Sequence, residues 1–375
     1  MRVMMIAGEA SGDMHGGGVV RELRRRDPSC DIFGIGGDTM QSEGMELLYH
    51  VQELSVMGFL EVLQHLPLLK SVEKVLDAML VARKPDVVVL IDYPGFNLRF
   101  AEAVKQHGIK VVYYISPQVW AWNPGRVRKM KKLVDKMLVV FSFEVDIYRK
   151  EGIDVEFVGH PLLEVLTEPQ GRKEFLKRYG FDENTFILGL FPGSRKQEVE
   201  KIFPVMIGAA RIMSKEIGMQ VAVGVSPALS MDFVKSFVRD DVPMMFLQHA
   251  TYDLMKNADL ALVTSGTATL ETGFYQTPMI VVYKTSFFTY VIGRMLVRIK
   301  NIGLVNVVAG ETIVPELIQY ALTPQRLAHD ALAILKNQNL RRDITQQLAV
   351  IREKLGVPGA SARVADSVLL LARAH

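Results

Sequence analysis

A buried strand is predicted to run into the first turn of a helix in the segment Leu262-Val263-Thr264-Ser265-Gly266-Thr267-Ala268-Thr269-Leu270-Glu271. Apolar residues are followed by small hydroxyl residues and a glycine, and then by a helix-compatible stretch, as in the βα units of a parallel sheet. The N-terminus of such a helix carries free N–H groups and about half a unit of positive charge, which suits a phosphate. Glu271 follows about one turn later, where it could accept hydrogen bonds from ribose hydroxyls. The segment indicates a nucleotide site, with an ordinary capped helix as the alternative.

A second glycine–serine turn occurs in Leu188-Gly189-Leu190-Phe191-Pro192-Gly193-Ser194-Arg195. It has the same order of apolar strand, turn and helix. The planar guanidinium of Arg195 suits bidentate contact with a phosphate. Two such turns in one half of the chain point to one phosphate-bearing ligand.

Short apolar runs alternate with helical patterns along the whole chain, which is typical of parallel sheets built from βαβ units. Strands are predicted near 3–7, 31–35, 87–91, 110–115, 136–140, 156–158, 187–191, 220–223, 244–247, 260–263 and 279–282. We expect an α/β fold of two Rossmann-like parallel-sheet domains facing each other across a cleft, with ligands at the carboxyl ends of the strands. The predicted domains are residues 1–165 and 170–357, and the C-terminal helix at 358–375 is expected to pack back on the first.

Composition narrows the class of protein. A chain of 375 residues is long enough for two domains, and a lone cysteine, Cys30, excludes a disulfide framework and fits a reducing cytoplasm. A net charge of +3 is too small to indicate nucleic acid. No run approaches the roughly 18 uncharged apolar residues of a membrane span, and a strand rather than a secretory leader is predicted after Met1-Arg2.

The turn Gly8-Glu9-Ala10-Ser11-Gly12-Asp13 follows the first predicted strand, where a dinucleotide fingerprint would stand. Its glycine spacing is G-x-x-x-G rather than G-x-G-x-x-G, and Glu9 would come close to a pyrophosphate. An NAD-dependent enzyme is therefore disfavoured. The carboxylate and hydroxyl groups suit a neutral, hydroxyl-bearing substrate such as a sugar.

Asp92 stands directly after the apolar run 87–91, in Asp92-Tyr93-Pro94-Gly95-Phe96-Asn97. A partly desolvated carboxylate at the end of a buried strand is a candidate general base, and a structural aspartate is an equal alternative. The next predicted strand leads into Ser116-Pro117-Gln118-Val119-Trp120-Ala121-Trp122, whose aromatic rings suit a sugar face or an acyl chain, or simply fill core.

These motifs resemble, in order, those of lipid-A-disaccharide synthases. The resemblance also covers Met57-Gly58-Phe59-Leu60-Glu61-Val62-Leu63, Gly159-His160-Pro161, Pro192-Gly193-Ser194-Arg195-x-x-Glu198 and Ser265-Gly266-Thr267-Ala268-Thr269-Leu270-Glu271. It extends from Val3 to about Gln319. Asn306 and Ala309-Gly310 match part of a further family segment, in which Val305 replaces the usual proline.

The resemblance implies an inverting glycosyltransferase of the B-type, two-Rossmann-domain fold. Its donor would be UDP-2,3-diacylglucosamine and its acceptor 2,3-diacylglucosamine 1-phosphate, giving a β-1,6-linked tetraacyl disaccharide 1-phosphate and UDP. No cofactor and no metal are expected. The absence of an Asp-x-Asp triplet, which holds a divalent ion in many other glycosyltransferases, agrees with this expectation.

Asp92 is the expected catalytic base and Glu9 the second candidate. The expected substrate-binding residues are Ser11, Gln118, Trp120, Gly193, Ser194, Arg195, Glu198, Ser265, Gly266, Thr267, Thr269, Glu271 and Asn306.

Both substrates carry acyl chains, so a membrane surface is the expected partner. An apolar cluster at 57–69 is too broad for one face of a surface helix, and a second apolar segment with interspersed cations spans 287–300. Either is a membrane contact or a buried helix. The expected contacts are Phe59, Leu60, Leu63, Leu66 and Leu69. The enzyme would act on the inner face of the bacterial inner membrane, from the cytoplasm, with a homodimer left open.

Two other functions are compatible with the fold. A UDP-N-acetylglucosamine epimerase handles one soluble sugar and would not need the apolar cluster at 57–69. A non-catalytic UDP-sugar sensor would not need Asp92 or Glu9.

Overall fold

The computed structural model describes residues 1–54, 59–120, 125–238, 243–286 and 300–373, with side chains described at all of these positions except 54 and 59–66. The chain divides into two compact units. Unit 1 comprises Met1–Glu164 and Leu355–His375, and unit 2 comprises Val165–Lys354. Each unit is built around one parallel sheet.

The sheet of unit 1 has seven strands in the order β3-β2-β1-β4-β5-β6-β7. Its strands are β1 Arg2–Ala7, β2 Asp31–Gly36, β3 Glu46–His50, β4 Val87–Ile91, β5 Lys110–Tyr114, β6 Lys136–Val139 and β7 Val155–Phe157. The order 3-2-1-4-5-6 is that of the Rossmann fold. The central strands β1 and β4 are almost wholly apolar and buried, because helices cover both faces of such a sheet.

Helices connect the strands of unit 1. They are α1 Ala10–Arg26, α2 Asp38–Ser42, α3 Val51–Leu54, α4 Phe59–Arg83, α5 Pro94–Gln106, α6 Arg126–Leu133, α7 Glu144–Lys150 and α8 Leu162–Val165.

The sheet of unit 2 has six strands in the order β10-β9-β8-β11-β12-β13, which repeats the same pattern. Its strands are β8 Phe186–Phe191, β9 Met219–Gly224, β10 Met244–Leu247, β11 Leu260–Thr264, β12 Met279–Tyr283 and β13 Glu316–Ile318. Its helices are α9 Arg172–Tyr179, α10 Lys196–Met213, α11 Met231–Lys235, α12 Thr251–Asn257, α13 Thr267–Phe274, α14 Leu304–Ala309, α15 Pro324–Lys336 and α16 Gln338–Leu355. The last helix, α17 Ala360–Arg373, returns to unit 1.

The C-terminal helix α17 belongs to unit 1. Asp366 forms an ion pair with Arg26 of α1, and the Ser361 hydroxyl donates to Glu164. One apolar face of α17 is buried, including Val364 and Val368. The end of the chain is thus joined to its beginning by packing and by polar contacts.

One stretch, Gln338–Arg373, is apolar and long enough by composition alone to cross a membrane. In the fold this stretch forms two helices, α16 and α17. In its most apolar 18 residues, 44% of the residues are buried inside the protein. Much of its apolar surface is therefore used in packing.

The predicted fold class is confirmed, since both units contain parallel Rossmann-like sheets. Each strand predicted from an apolar run is present. Among the described strands, two were not predicted, β3 and β13, and both lie at the edge of a sheet. They are short or partly exposed and mix polar with apolar residues, so neither forms an apolar run.

Candidate functional site

Neighbouring strands of unit 1 bring the two predicted acidic residues to one edge of the sheet. β1 leads into Glu9 and β4 leads directly into Asp92. β1 and β4 are paired in register, with Ala7 opposite Ile91. The two carboxylates therefore lie at the carboxyl ends of adjacent strands, where ligands bind in open α/β sheets.

The backbone around Asp92 is strained and firmly held. Asp92 and Tyr93 both have φ of 46°, in the left-handed region, which costs a residue other than glycine about 1–3 kcal/mol. The Asp92 carbonyl accepts hydrogen bonds from the Tyr113 hydroxyl at 2.6 Å and from Asn97 Nδ2 at 2.7 Å. Its N–H donates to the Tyr114 carbonyl at 2.9 Å. The neighbouring strand and helix thus fix the Asp92 turn.

The Asp92 carboxylate is more basic than an ordinary aspartate. Burial raises the pKa of Asp92 to about 6, the Glu9 carboxylate adds to the rise, and a hydrogen bond from the Tyr93 N–H opposes it. A carboxylate with this pKa is ionised at neutral pH and accepts a proton more readily, as a general base requires.

The turn after β1 and the first turn of α1 contain two acidic residues in different environments. Asp13 is buried. Its carboxylate accepts hydrogen bonds from the backbone N–H groups of Gly37, Thr39 and Met40. Glu9 and Ser11 are exposed and make no side-chain hydrogen bond within the described residues. A side chain at Gly8 would collide with the Tyr93 ring, so glycine allows the two turns to approach. Glu9 and Ser11 are thus available to a ligand, and Asp13 is structural.

A buried carboxylate that the sequence analysis missed supports the loop after β5. Glu144 is 1% exposed and accepts hydrogen bonds from Ser116 Oγ at 2.7 Å, Trp120 Nε1 at 3.1 Å and the Phe141 N–H at 3.3 Å. Burial raises the pKa of Glu144 to about 7, against the effect of these hydrogen bonds. Gln118 is exposed and Trp120 half-buried on the same loop. Trp122 lies outside the described residues.

Unit 2 contains a cavity of about 610 Å³ at the carboxyl ends of its central strands. Its lining includes the predicted residues Gly193, Ser194, Arg195, Glu198, Ser265, Gly266, Thr267 and Glu271. The lining also includes residues that were not predicted, among them Ser226, Gln248, His249, Tyr252 and Thr264. Most of the latter follow β9 and β10, and their position after a strand was the only signal that could have identified them.

Glu271 and Thr264 present unused polar atoms to this cavity. Burial raises the pKa of Glu271 to about 7, and no described residue donates a hydrogen bond to its carboxylate. Thr264 is 3% exposed, and its hydroxyl has no partner within the described part of the chain. Buried polar groups normally have partners, so unused ones in a cavity indicate a ligand.

The turn after β8 is closed by Glu198. The Glu198 carboxylate accepts hydrogen bonds from the N–H groups of Ser194 and Arg195, each at 3.3 Å, and pairs with the Arg195 guanidinium at 3.2 Å. A side chain at Gly193, whose φ is +113°, would meet Glu198. The Arg195 side chain is 63% exposed, so it can reorient towards an anion. The hydrogen bonds from the backbone N–H groups to Glu198 would still fix the conformation of the loop.

The turn after β11 is only partly available to a ligand. Thr267 is exposed, and the Ser265 hydroxyl donates to the Ile302 carbonyl at 2.9 Å. Thr269 is fully buried, donates to the Gly266 carbonyl and accepts from the Val305 N–H. The predicted contact between Thr269 and substrate therefore has no free hydroxyl, because the Thr269 hydroxyl is used within the helix N-terminus.

Asn306, which is predicted to bind substrate, does not line the cavity of unit 2. Asn306 is 0% exposed. Its Oδ1 accepts hydrogen bonds from the Ile313 and Val314 N–H groups, and its Nδ2 donates to the Val314 carbonyl and to Glu316. The amide is saturated by the segment that leads into β13, so its role is structural.

The predicted membrane contacts are mostly outside the described side chains. The side chains of α4 are described only from residue 67 onward, which leaves out Phe59, Leu60, Leu63 and Leu66. Residues 287–299 of the second apolar segment also lie outside the described residues. Leu69 is 8% exposed. The Leu69 side chain is therefore buried in unit 1 and exposes little surface for the predicted membrane contact.

A family model described as Lipid-A-disaccharide synthetase matches residues 3–362. The chain belongs to the lipid-A-disaccharide synthase family. A lipid-A-disaccharide synthase of Syntrophus aciditrophicus is 45% identical over 98% of this chain and 97% of its own length, and one of Geobacter sulfurreducens is 42% identical over 98% and 96%. The resemblance stated from the motifs is confirmed. The enzyme is a UDP-sugar glycosyltransferase of lipid A biosynthesis.

Solved structures agree with the fold. A MurG of Acinetobacter baumannii has a TM-score of 0.60 at 13% identity, covering 98% of this chain and 99% of its own. The UDP-GlcNAc 2-epimerase of Neisseria meningitidis, bound to UDP-GlcNAc, has a TM-score of 0.64 at 13% identity, covering 99% and 100%. At such identities the likeness concerns the fold alone, so the epimerase is only a distant structural neighbour of this family member.

Within the described residues, no three His, Cys, Asp or Glu side chains are grouped so as to hold a metal ion.

Proposed function

We propose that the enzyme transfers 2,3-diacylglucosamine from UDP to the 6-hydroxyl of 2,3-diacylglucosamine 1-phosphate, forming the β-1,6-linked tetraacyl disaccharide 1-phosphate. The observation that carries this proposal is the cavity of unit 2, where a half-buried Glu271, to which no described residue donates a hydrogen bond, lies beside two glycine-containing turns. A carboxylate next to free N–H groups is the combination that a ribose and a diphosphate require. Membership of the lipid-A-disaccharide synthase family supports the rest of the substrate.

The diphosphate is assigned to the turns after β8 and β11. Ser194, Gly266 and Thr267 offer backbone or hydroxyl donors, and Arg195 offers an exposed cation. Positive charge and N–H donors aimed at a leaving diphosphate stabilise the negative charge that develops as its bond breaks. This task needs no cofactor and is the reason that we place the donor in unit 2.

Glu271→Ala is expected to weaken UDP binding about tenfold to a hundredfold, the typical worth of a hydrogen bond to a charged group. Binding of inorganic diphosphate should stay unchanged, because the proposed partners of Glu271 are the ribose hydroxyls. Calorimetric titration of both ligands measures the difference. Glu200→Ala, an exposed glutamate on α10, is the matched control. Equal weakening of UDP and diphosphate would rule out the ribose contact.

Asp92 is assigned as the base. The acceptor 6-hydroxyl oxygen attacks the anomeric carbon from the face opposite UDP, the bond to the diphosphate oxygen breaks, and that oxygen retains the electron pair. The hydroxyl proton passes to Asp92, whose raised pKa favours its acceptance. Glu9 is the second candidate, because it lies near enough to raise the pKa of Asp92.

The pH profile tests this assignment. Asp92 must be ionised to act as a base, so kcat/KM should fall as the pH drops through about 6, about tenfold per pH unit. Replacing Glu9 with glutamine removes a negative charge that raises the pKa of Asp92, so this acidic limb should move to lower pH. An unmoved limb would mean that another group titrates.

A membrane surface is proposed as the source of both acylated substrates, with the enzyme on the cytoplasmic face of the inner membrane. Two adjacent leucines of α4 provide a matched test. Leu68 is 37% exposed and Leu69 is 8% exposed. Leu69→Ser should lower the free energy of unfolding by about 2–5 kcal/mol, whereas Leu68→Ser should change it by less than about 0.5 kcal/mol.

In flotation with vesicles of phosphatidylethanolamine and phosphatidylglycerol, Leu68→Ser should reduce the bound fraction. Unchanged flotation of Leu68→Ser would remove Leu68 from the contact surface. An equal loss of stability in the two variants would mean that both leucines belong to the core.

The experiment that tests the function is UDP release by the purified protein with both diacylglucosamine substrates. Release that requires the acceptor supports the proposal. An epimerase would convert a UDP-sugar without an acceptor, and a sensor would bind UDP without turnover.

A further inference from the structure

Glu144 is a buried acidic residue that the proposed chemistry does not use. It is the first residue of α7, and its side chain is enclosed between that helix and the loop that follows β5. Taking a carboxylate out of water is costly unless hydrogen bonds replace those of the solvent. The hydrogen-bond partners of Glu144 therefore indicate its role.

Those partners belong chiefly to one loop. Ser116 Oγ and Trp120 Nε1 both donate to Glu144 Oε1, and the Phe141 N–H donates to Oε2. One carboxylate oxygen thus joins the first residue of the loop to a residue four positions later. Three donors act on this one buried carboxyl group, so the link between the loop and α7 is a firm one.

Two further contacts from the same helix region hold the loop. The Tyr148 hydroxyl of α7 donates to the Pro117 carbonyl at 3.3 Å. The Trp120 ring packs edge-on against Phe143, with ring centroids 5.6 Å apart. The loop is therefore held by both polar and aromatic contacts.

The loop also leaves the sheet next to the proposed base. β5 pairs with β4, and the Tyr114 carbonyl at the end of β5 accepts the Asp92 N–H. Gln118 is exposed on the loop, and Trp120 is half-exposed. The loop starts from a strand end that is hydrogen-bonded to the Asp92 turn, so a shift of the loop would move the Gln118 amide and the Trp120 indole relative to that turn.

We infer that Glu144 is a positioning residue, which holds the loop of residues 116–120 so that Gln118 and Trp120 contact the acceptor sugar. The inference rests on the proposed function. Glu144 acts through the loop and does not itself touch the reacting atoms. Its loss should therefore affect the acceptor and leave the nucleotide unaffected.

The test is steady-state kinetics with each substrate varied in turn, together with UDP titration and thermal melting. Glu144→Ala should raise the KM for the acceptor at least tenfold, with the Kd for UDP unchanged. Glu144→Gln retains an oxygen that accepts from Ser116 and Trp120, so it should recover most of the acceptor affinity. Asp146→Ala, which removes an exposed acid two residues further along the same helix, should behave as wild type.

Ser116→Ala removes one donor to Glu144 without touching substrate, because Ser116 is itself buried. It should raise the acceptor KM several-fold, and its effect should not add to that of Glu144→Ala, since both variants lose the same hydrogen bond. If Glu144→Ala does not fold, Ser116→Ala and Glu144→Gln still decide the question. Wild-type acceptor KM in Ser116→Ala, or no recovery in Glu144→Gln relative to Glu144→Ala, would overturn the inference.

Different results would refute the enzyme's proposed function and the positioning role of Glu144. A wild-type protein that releases no UDP in the presence of acceptor would refute the proposed function. An active wild type whose Glu144 and Ser116 variants keep the wild-type acceptor KM would refute only the positioning role.

Discussion

Replacing Asp92 with asparagine is expected to lower turnover about 10²–10⁴-fold, the usual contribution of a general base, while the fold stays intact. Asparagine has nearly the same volume and cannot accept the proton. The contacts that hold this turn involve the Asp92 backbone carbonyl and N–H, which the substitution leaves in place. Turnover with saturating substrates and thermal melting measure the two effects.

The matched control is Asp86→Asn, at the other end of the same strand. Asp86 accepts a hydrogen bond from the Arg2 N–H and precedes β4, so its loss should leave turnover near wild type. Calorimetry should give the wild-type Kd for UDP in Asp92→Asn. Turnover close to wild type in Asp92→Asn would transfer the role of base to Glu9.

Replacing Asn306 with alanine is expected to lower the free energy of unfolding of unit 2 by about 2–5 kcal/mol. The substitution leaves the buried N–H groups of Ile313 and Val314 without their acceptor, and each unsatisfied group costs about 1–3 kcal/mol. Urea denaturation measures the change. Below the melting transition, the Kd for UDP should remain that of the wild type, because the Asn306 amide does not line the cavity.

Asn301 provides the control for this substitution. It lies in the same segment, and its side-chain oxygen accepts one exposed hydrogen bond from Thr312. Asn301→Ala should change stability by less than about 0.5 kcal/mol. A stable Asn306→Ala variant with weakened UDP binding would contradict the structural role and support the prediction that Asn306 contacts substrate.

The architecture was predictable because buried parallel strands are continuous apolar runs. Strands such as β4 and β11 are buried at every position, so their composition alone marks them. β3 and β13 are edge strands with partly exposed residues, and their mixed composition does not distinguish them from loops. Pairing with a neighbouring strand, rather than local sequence, makes them strands.

Residues at the ends of strands were predictable in part. The positions of Asp92 and Glu271 in the fold were predictable because each follows an apolar run that forms a buried strand. Whether a polar side chain faces a ligand depends on partners that are distant in sequence. Thr269 is engaged by Val305, 36 residues away, and Glu144 holds Ser116, 28 residues away. The sequence shows which polar side chains are present, but only the fold shows which of them are hydrogen-bonded within the protein and which are available to a ligand.

The configuration of the product tests the central claim most directly. Purified enzyme, UDP-2,3-diacylglucosamine and 2,3-diacylglucosamine 1-phosphate are incubated together, and the product is examined by proton and carbon NMR. A β-linked disaccharide joined from C1 to the acceptor 6-oxygen, formed in equal amount with UDP, is the predicted result. An α linkage, a bond to another hydroxyl, or free diacylglucosamine in place of a disaccharide would contradict an inverting transfer to the 6-hydroxyl.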